Sequence, residues 1–213
     1  MELPRGSCSS PSQPGTLADR SLPKRNRSIT SKSARRDTVR QPGIVVWITG
    51  LSGSGKTTIA RALESSLLRD GHRSIVLDGD DLRSRISKDL GFTREDRIEH
   101  TRRIGEIAAL ISKAGVVTIV ALISPFAEAR KLARHSCNGK YFFEVHLDVS
   151  LEVCEKRDPK GLYKKARSGQ ISNFTGISSP YEVPRRPELR LQTNLVSPQD
   201  CVAAIRRGID CKL

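Results

Sequence analysis

The sequence contains no run of 18 apolar residues, so it predicts no membrane span. Its amino-terminal stretch also lacks the apolar core of a secretory signal. The five cysteines are odd in number and widely spaced, and no CxxC pair occurs. This pattern argues against a disulfide framework and against a zinc site, and it is typical of a reducing compartment. We therefore expect a cytoplasmic protein without a membrane partner.

Acidic residues are in the minority, and the excess of positive charge is unevenly distributed. The 213 residues carry a net charge of +14, and residues 1–40 hold nine Lys or Arg against three acids. A basic protein favours anionic partners, which include nucleic acid, membrane surfaces and phosphorylated small molecules. The charge alone does not choose among these partners.

Large apolar residues are nearly absent from residues 1–40, which are rich in Ser, Pro and Arg. This composition predicts a disordered basic tail followed by one domain over residues 41–213. An organelle transit peptide is an alternative, because such peptides are rich in Arg and Ser and poor in acids. A nucleic-acid-binding arm is less favoured, since no aromatic residues interleave the charges for base stacking.

Apolar β-branched runs alternate with amphipathic stretches from residue 43 onwards. The pattern predicts strands over residues 44–49, 74–77, 116–123, 142–147 and 189–192. It predicts helices over residues 57–68, 94–113, 126–134 and 199–207. Alternating strands and helices indicate an α/β fold with three layers, in which a mostly parallel five-stranded sheet has helices on both faces.

Residues 158–177, DPKGLYKKARSGQISNFTGI, show no steady helical or strand periodicity. A loop of this length in a compact domain is usually a lid, a binding loop or disordered. Disorder is disfavoured by the apolar and aromatic residues of the stretch, namely Leu162, Tyr163, Ile171, Phe174 and Ile177. We expect a basic lid over about residues 157–185.

The junction of the first strand and first helix reads GLSGSGKTT and matches the phosphate-loop pattern G-x-x-x-x-G-K-[ST]. Its glycines allow backbone N–H groups to surround phosphates, and the following helix adds partial positive charge. Lys56 is predicted to reach the β- and γ-phosphates of ATP, and Thr57 to bind Mg²⁺. A chance match is expected in roughly 1% of chains of this length. The predicted ATP-binding residues are Gly50, Leu51, Ser52, Gly53, Ser54, Gly55, Lys56, Thr57 and Thr58.

A second polar group follows the second predicted strand, where Asp80 and Arg83 come directly after SIVLD. Ligands of open α/β sheets bind beyond the carboxyl ends of the strands, so both residues should face the phosphate loop. A carboxylate there can take the proton of an acceptor hydroxyl, and an arginine can hold an anionic acceptor. The alternative is that Asp80 only caps a helix.

Eight blocks within about residues 44–196 make the chain resemble the adenylylsulfate kinase (APS kinase) family of phosphate-loop kinases. In order they are GLSGSGKTT, LDGDDLR, DLGFTREDR, RR, LISP, FFEV, CEKRDPKGLYKKARSG and NFTGISSPYE. The resemblance implies transfer of the γ-phosphoryl group of ATP, with Mg²⁺, to the 3′-hydroxyl of adenosine 5′-phosphosulfate (APS), which yields PAPS and ADP for sulfate assimilation. It also implies a homodimer and a small-molecule rather than nucleic-acid substrate. Any ATP sulfurylase partner would be a separate polypeptide.

The resemblance implies roles for individual residues. Asp80 would approach the acceptor hydroxyl, and Arg83 with Arg97 would hold the phosphosulfate. Phe92 and Phe174 would grip the APS adenine, since an aromatic face stacks well on a purine. The remaining implied APS-site residues are Ile123, Ser124 and the lid residue Lys164.

Ser124 carries the family's label of a phosphoserine intermediate, which makes it a third catalytic candidate beside Lys56 and Asp80. A nucleophilic serine needs an adjacent base, and the LISP block offers none. Direct in-line transfer needs only positioning and charge stabilisation, so it is the expected chemistry.

The chain departs from the family pattern at two positions. His100 stands where the family places an APS-binding asparagine, and Ser172 stands where a basic lid residue is usual. A protonated His100 would add positive charge, so we expect APS to bind more tightly as pH falls from about 8 to 6. The two departures leave open a kinase with another nucleotide acceptor, and a non-catalytic module is the third reading.

Overall fold

The computed structural model describes residues 43–213, so the prediction of a disordered tail lies outside the described residues. The strands are β1 (Val45–Thr49), β2 (Ser74–Asp78), β3 (Val117–Ala121), β4 (Phe142–Leu147) and β5 (Leu189–Leu191). The helices are α1 (Lys56–Arg69), α2 (Gly79–Arg85), α3 (Arg94–Lys113), α4 (Ala127–Ser136), α5 (Leu151–Arg157), α6 (Leu162–Arg167) and α7 (Pro198–Ile209), and a 3₁₀ turn covers Asp210–Lys212.

The five strands form one parallel sheet in the order β2-β3-β1-β4-β5. Its central strand β1 is buried on both faces, which explains why its residues are apolar without alternation. Val46 and Ile48 face a cluster with α1 and α7, whereas Val45 and Trp47 face a cluster with α3 and α4. The predicted α/β fold with three layers is confirmed.

All five predicted strands are present, with ends that differ from the prediction by a few residues at most. Three short helices, α2, α5 and α6, were not predicted. The absence of helical periodicity over residues 158–177 proved misleading, because α6 lies within that segment. Helices of six or seven residues span fewer than two turns, so they leave little periodic signal.

The order of the strands brings the carboxyl ends of β1, β2 and β3 to one edge of the sheet, where the phosphate loop and α2 begin. Within residues 43–213, no helix has the length and apolar character that crossing a membrane requires.

Candidate active site

The phosphate loop connects β1 to α1. Gly53 and Gly55 adopt φ values of 74° and 96°, a left-handed conformation that side-chain-bearing residues rarely tolerate. Lys56 Nζ donates to the carbonyl oxygens of Gly50 and Leu51, at 3.0 and 2.7 Å. Burial lowers the pKa of Lys56 to about 8, although the nearby carboxylates act in the opposite direction. The lysine is thus folded onto its own loop and poised for an anion.

Two aspartates follow β2 and perform different tasks. The Asp78 carboxylate accepts hydrogen bonds from Thr57 Oγ1, at 2.8 Å, and from the Asp80 backbone N–H, at 3.0 Å. Asp78 is therefore the residue that caps α2, and the alternative reading of Asp80 as the cap is wrong. The exposed Asp80 carboxylate instead forms an ion pair with Lys160, which precedes α6.

Phe92 lies in the loop before α3, with its side chain exposed to the cavity. The Arg83 guanidinium lies over the Phe92 ring at 4.7 Å from the centroid. Arg83 also donates to the Gly91 carbonyl at 2.6 Å. The loop holding Phe92 is thereby tied to α2.

Arg97, in the first turn of α3, is buried and uses three of its donors within the protein. It donates to the carbonyl oxygens of Phe92 and Asn173, at 3.0 and 2.5 Å, and to Thr175 Oγ1 at 3.0 Å. Arg97 therefore joins α3 to the lid. Its predicted contact with the phosphosulfate would have to coexist with these bonds.

Phe174 also lines the cavity, but it is packed rather than free. Its ring contacts Tyr163 edge-on, with centroids 5.0 Å apart and an interplanar angle of 78°. Tyr163 in turn donates its hydroxyl to the Ser52 carbonyl at 3.0 Å. This chain of contacts links the lid to the phosphate loop.

His100 is 2% exposed, and neither ring nitrogen makes a well-formed hydrogen bond among residues 43–213, although the Gly79 backbone is near enough to favour the protonated ring. Burial lowers the pKa of His100 to about 4, and the positive charge of Arg83 contributes to the shift. This lowered pKa disfavours a protonated imidazole near neutral pH in the free protein. His100 and Ser172, the two departures from the family pattern, both line the cavity.

Ser124 follows β3 and lies in a buried hydrogen-bond chain. Trp47 Nε1 donates to Ser124 Oγ at 3.1 Å, and Ser124 Oγ donates to Thr49 Oγ1 at 3.0 Å. Thr49 Oγ1 in turn donates a hydrogen bond to the Ile123 carbonyl oxygen at 2.6 Å. The hydroxyl of Ser124 is thus hydrogen-bonded on both sides and 1% exposed, which favours a structural role, while its catalytic role stays a prediction.

These side chains surround one cavity of about 1130 Å³. The structure brings most predicted site residues to its wall: Ser52, Gly53, Gly55, Lys56, Thr57, Thr58, Asp80, Arg83, Phe92, Arg97, His100, Ile123, Ser124 and Phe174. The wall does not include four others, namely Gly50, Leu51, Ser54 and Lys164. The side chain of Lys164 is exposed and its contact with APS stays a prediction, whereas Lys160 lines the cavity wall.

Sequence reasoning missed a contact between the end of α5 and the segment after β5. Arg157 donates to the carbonyl oxygens of Gly53 and Thr193, at 3.3 and 2.9 Å, and Thr193 Oγ1 donates to the Ser54 carbonyl at 2.7 Å. Arg157, Thr193 and Val196 line the same cavity beside the phosphate loop. Only the fold brings them together, because no motif spacing connects them.

Comparison with known proteins agrees with this geometry. The sequence model of the adenylylsulphate kinase family matches residues 42–192. Adenylyl-sulfate kinase of Clostridium kluyveri is 48% identical over 188 residues, which cover 88% of this chain and 94% of that protein. The structure of Mycobacterium tuberculosis APS kinase CysC, in complex with AMPPNP and APS, has a TM-score of 0.77 and 46% identity, and the match covers 79% of this chain and 98% of that one.

A hexameric APS kinase from Thiobacillus denitrificans has a TM-score of 0.61 and 31% identity, and the match covers 84% of this chain and 31% of that longer one. The phosphate loop, the acceptor-side residues and these relatives agree, and the chain belongs to the adenylylsulphate kinase family.

Proposed function

We propose that the protein catalyses the adenylyl-sulfate kinase reaction, the ATP-dependent phosphorylation of APS to PAPS. The two substrates bind on different sides of one cavity. The side containing Lys56, Thr57 and Arg157 takes ATP. The side containing Arg83, Phe92, His100 and Phe174 takes APS. Asp80, in the first turn of α2, serves the transfer between the two.

The observation that carries this proposal is the continuity of the cavity. Its volume of about 1130 Å³ exceeds the roughly 300–1,000 Å³ of a pocket for one drug-sized ligand. The same wall holds the phosphate loop and both phenylalanines predicted to stack on an adenine. This supports simultaneous binding of two nucleotides.

The residues beside the phosphate loop suit a magnesium ion. Mg²⁺ prefers oxygen ligands and is usually held by one or two carboxylates together with substrate phosphates. Thr57 Oγ1 and the Asp78 carboxylate lie within 2.8 Å of each other. These two side chains would hold the ion, which when bound neutralises charge on the phosphate oxygens.

The chemistry assigned to this chain is direct in-line transfer. Lys56 stabilises the negative charge of the transferring phosphoryl group. The Asp80 carboxylate receives the proton of the APS 3′-hydroxyl, and its ion pair with Lys160 orients it in the free protein. Ser124 takes no covalent part, since its hydroxyl is buried and hydrogen-bonded on both sides.

Two further proposals concern the assembly of the protein and its location and partner. A homodimer is the proposed assembly, and the hexameric relative supports self-association in general; light scattering of the purified chain tests the number of subunits. A cytoplasmic location and an interaction with a separate ATP sulfurylase stay predictions, and a pull-down from cell extract followed by a sulfurylase assay tests the interaction.

Turnover of APS is the direct test of function. Wild-type protein supplied with ATP, Mg²⁺ and APS should form PAPS and ADP. Lys56→Ala should lose nearly all activity and keep its circular dichroism spectrum and melting temperature, because it removes several kcal/mol of transition-state stabilisation. Turnover of another nucleotide but not of APS would overturn the proposal, and a folded Lys56→Ala variant with near-normal turnover would overturn the role of Lys56.

A further inference from the structure

Arg130 on α4 is a buried charge outside the cavity, and each of its guanidinium nitrogens has a protein partner. Its side chain is 4% exposed and contacts three separate parts of the chain. Nε pairs with the Glu144 carboxylate on β4 at 3.0 Å. Nη1 donates to the Ser124 carbonyl at 2.7 Å, and Nη2 donates to the Glu182 carbonyl at 2.6 Å. We refer to Arg130 and these three acceptors as the Arg130 junction.

The Ser124 carbonyl belongs to a strained turn. Ser124 adopts φ of 38° and precedes Pro125, although left-handed conformations cost a non-glycine residue roughly 1–3 kcal/mol. Such a conformation persists only where the surroundings hold it. The Ser124 side chain is held by Trp47 and Thr49, and its carbonyl is held by Arg130.

Glu182 connects the same junction to the end of the lid. The Glu182 backbone N–H donates to the Pro125 carbonyl at 2.8 Å, and the Glu182 carboxylate accepts from the Ala127 N–H at 2.7 Å. The lid therefore returns to the body of the protein directly on the turn after β3. Arg130 donates to the Ser124 carbonyl on one side of this contact and to the Glu182 carbonyl on the other. The helix that carries Arg130 is fixed in the core, because Ala129 and Ala133 are fully buried.

The cavity wall next to this turn is formed by Ile123 and Ser124, on the side assigned to APS. From these contacts we infer that Arg130 is a positioning residue for the acceptor: it sets the Ile123–Ser124 turn and the base of the lid together, and thereby determines the affinity for APS without touching it. This inference rests on the proposed division of the cavity. Arg130 itself makes no hydrogen bond to residues 50–58 of the phosphate loop, and Ser124 reaches that loop through Thr49, the residue before it, so ATP binding should change less than APS binding.

Arg130→Lys is the appropriate variant, with Arg134→Lys as its matched control. Lysine retains the charge opposite Glu144 but has no fork of donors that can reach two carbonyl groups. Arg134 lies one turn along α4 and also pairs with Glu144, at 3.2 Å, but its other partner is Glu188. The control variant therefore perturbs the pairing of the Glu144 carboxylate and leaves the contacts of Arg130 with Ser124 and Glu182 in place.

The measurements are the dissociation constants of APS and of a non-hydrolysable ATP analogue, together with both KM values. Arg130→Lys should weaken APS binding about tenfold, which corresponds to about 1.4 kcal/mol, and change binding of the ATP analogue less than about twofold. Arg134→Lys should leave both within about twofold of wild type. Unchanged APS binding in Arg130→Lys, or equal losses for the two ligands, would overturn the inference.

A second variant covers the case in which Arg130→Lys fails to fold. Arg130→Gln combined with Glu144→Gln removes both charges and leaves no buried charge unpaired. This double variant should also bind APS about tenfold more weakly. Unchanged APS binding, or equal losses for APS and the ATP analogue, would overturn the inference. Amide hydrogen exchange provides a readout that needs no substrate: the Glu182 N–H should exchange faster in the Arg130 variants than in Arg134→Lys. If wild-type protein fails to bind APS, the proposed function fails, while the exchange rates still decide whether Arg130 holds the lid base.

Discussion

At the residue scale, the polar side chains around the cavity differ in how much of their hydrogen-bonding capacity the fold already uses. Arg97 and Ser124 are engaged with protein partners, so their first contribution is to position neighbouring segments. Both ring nitrogens of His100, by contrast, make no well-formed hydrogen bond within the described part of the chain. A buried polar group without a partner is costly, and a ligand hydrogen bond would relieve that cost.

The lowered pKa of Lys56 predicts that ATP binding depends on pH. Its pKa is lowered to about 8 in the free protein, and the phosphates of ATP favour the charged lysine, so binding must raise this pKa. ATP binding therefore takes up a proton above pH 8, and affinity should fall there by up to about tenfold per pH unit. Titration calorimetry from pH 7 to 9.5 measures this. Lys56→Arg, which stays charged, should show a flat profile, and identical slopes in the two proteins would contradict the prediction.

The lowered pKa of His100 predicts that this residue gives APS binding no pH dependence between pH 6 and 8. With a pKa near 4, the imidazole is neutral between pH 6 and 8 and can donate one hydrogen bond, much as an asparagine amide does. The APS dissociation constants of wild type and His100→Asn should therefore follow parallel curves over this range. A wild-type curve that alone steepens below about pH 7 would show that APS raises the pKa of His100 into the neutral range.

At the scale of elements, the lid is an anchored segment and not a free loop. Helix α6 packs Tyr163 into a cluster with Val149 and Cys154, and Phe174 adds to that cluster. Arg97 holds residues 173–175, and the Arg130 junction holds residue 182. Opening of the predicted lid would therefore have to break specific contacts at each of these places.

Phe92 and Phe174 should respond differently to truncation, although both are predicted to stack on the APS adenine. Each alanine variant should weaken APS binding about 5- to 150-fold, from the loss of about 1–3 kcal/mol of stacking, and should spare ATP. Only Phe174→Ala should also lower the melting temperature, by about 2–8 °C, because Phe92 is 56% exposed and Phe174 is packed on Tyr163. Calorimetry and APS titration test this; equal melting temperatures, or equal losses for ATP and APS, would contradict it.

At the scale of the whole molecule, residues 43–213 supply apolar clusters to both faces of the sheet and line the cavity. Residues 1–40 are polar and basic in composition, with little apolar area to bury.

Deleting residues 1–38 should therefore change the melting temperature by less than about 1 °C and leave turnover of APS nearly unchanged. Thermal denaturation and the PAPS assay, on the truncated and full-length proteins at equal concentration, provide the comparison. A fall of several degrees would mean that the amino-terminal segment packs on the domain.

The sequence by itself determined those features whose cause is local. The phosphate loop is formed by consecutive residues around one turn, and its glycines and Lys56 are recognisable because the required backbone geometry permits few alternatives. The buried strands were equally evident, since a strand covered on both faces must be a continuous apolar run. These two signals were enough to predict the class of the fold and the position of the phosphate loop.

The tertiary structure decided everything that depends on residues far apart in the chain. Burial lowers the pKa of His100, with a contribution from Arg83, so the free protein offers a neutral imidazole and not the expected positive charge. Lys160, which precedes α6, pairs with Asp80, 80 positions away in the chain. Arg130 joins Ser124, Glu144 and Glu182 across up to 52 positions, and no periodicity or motif encodes such a contact. Long-range polar contacts arise only when the packed core brings the segments together, so they cannot be read from local sequence.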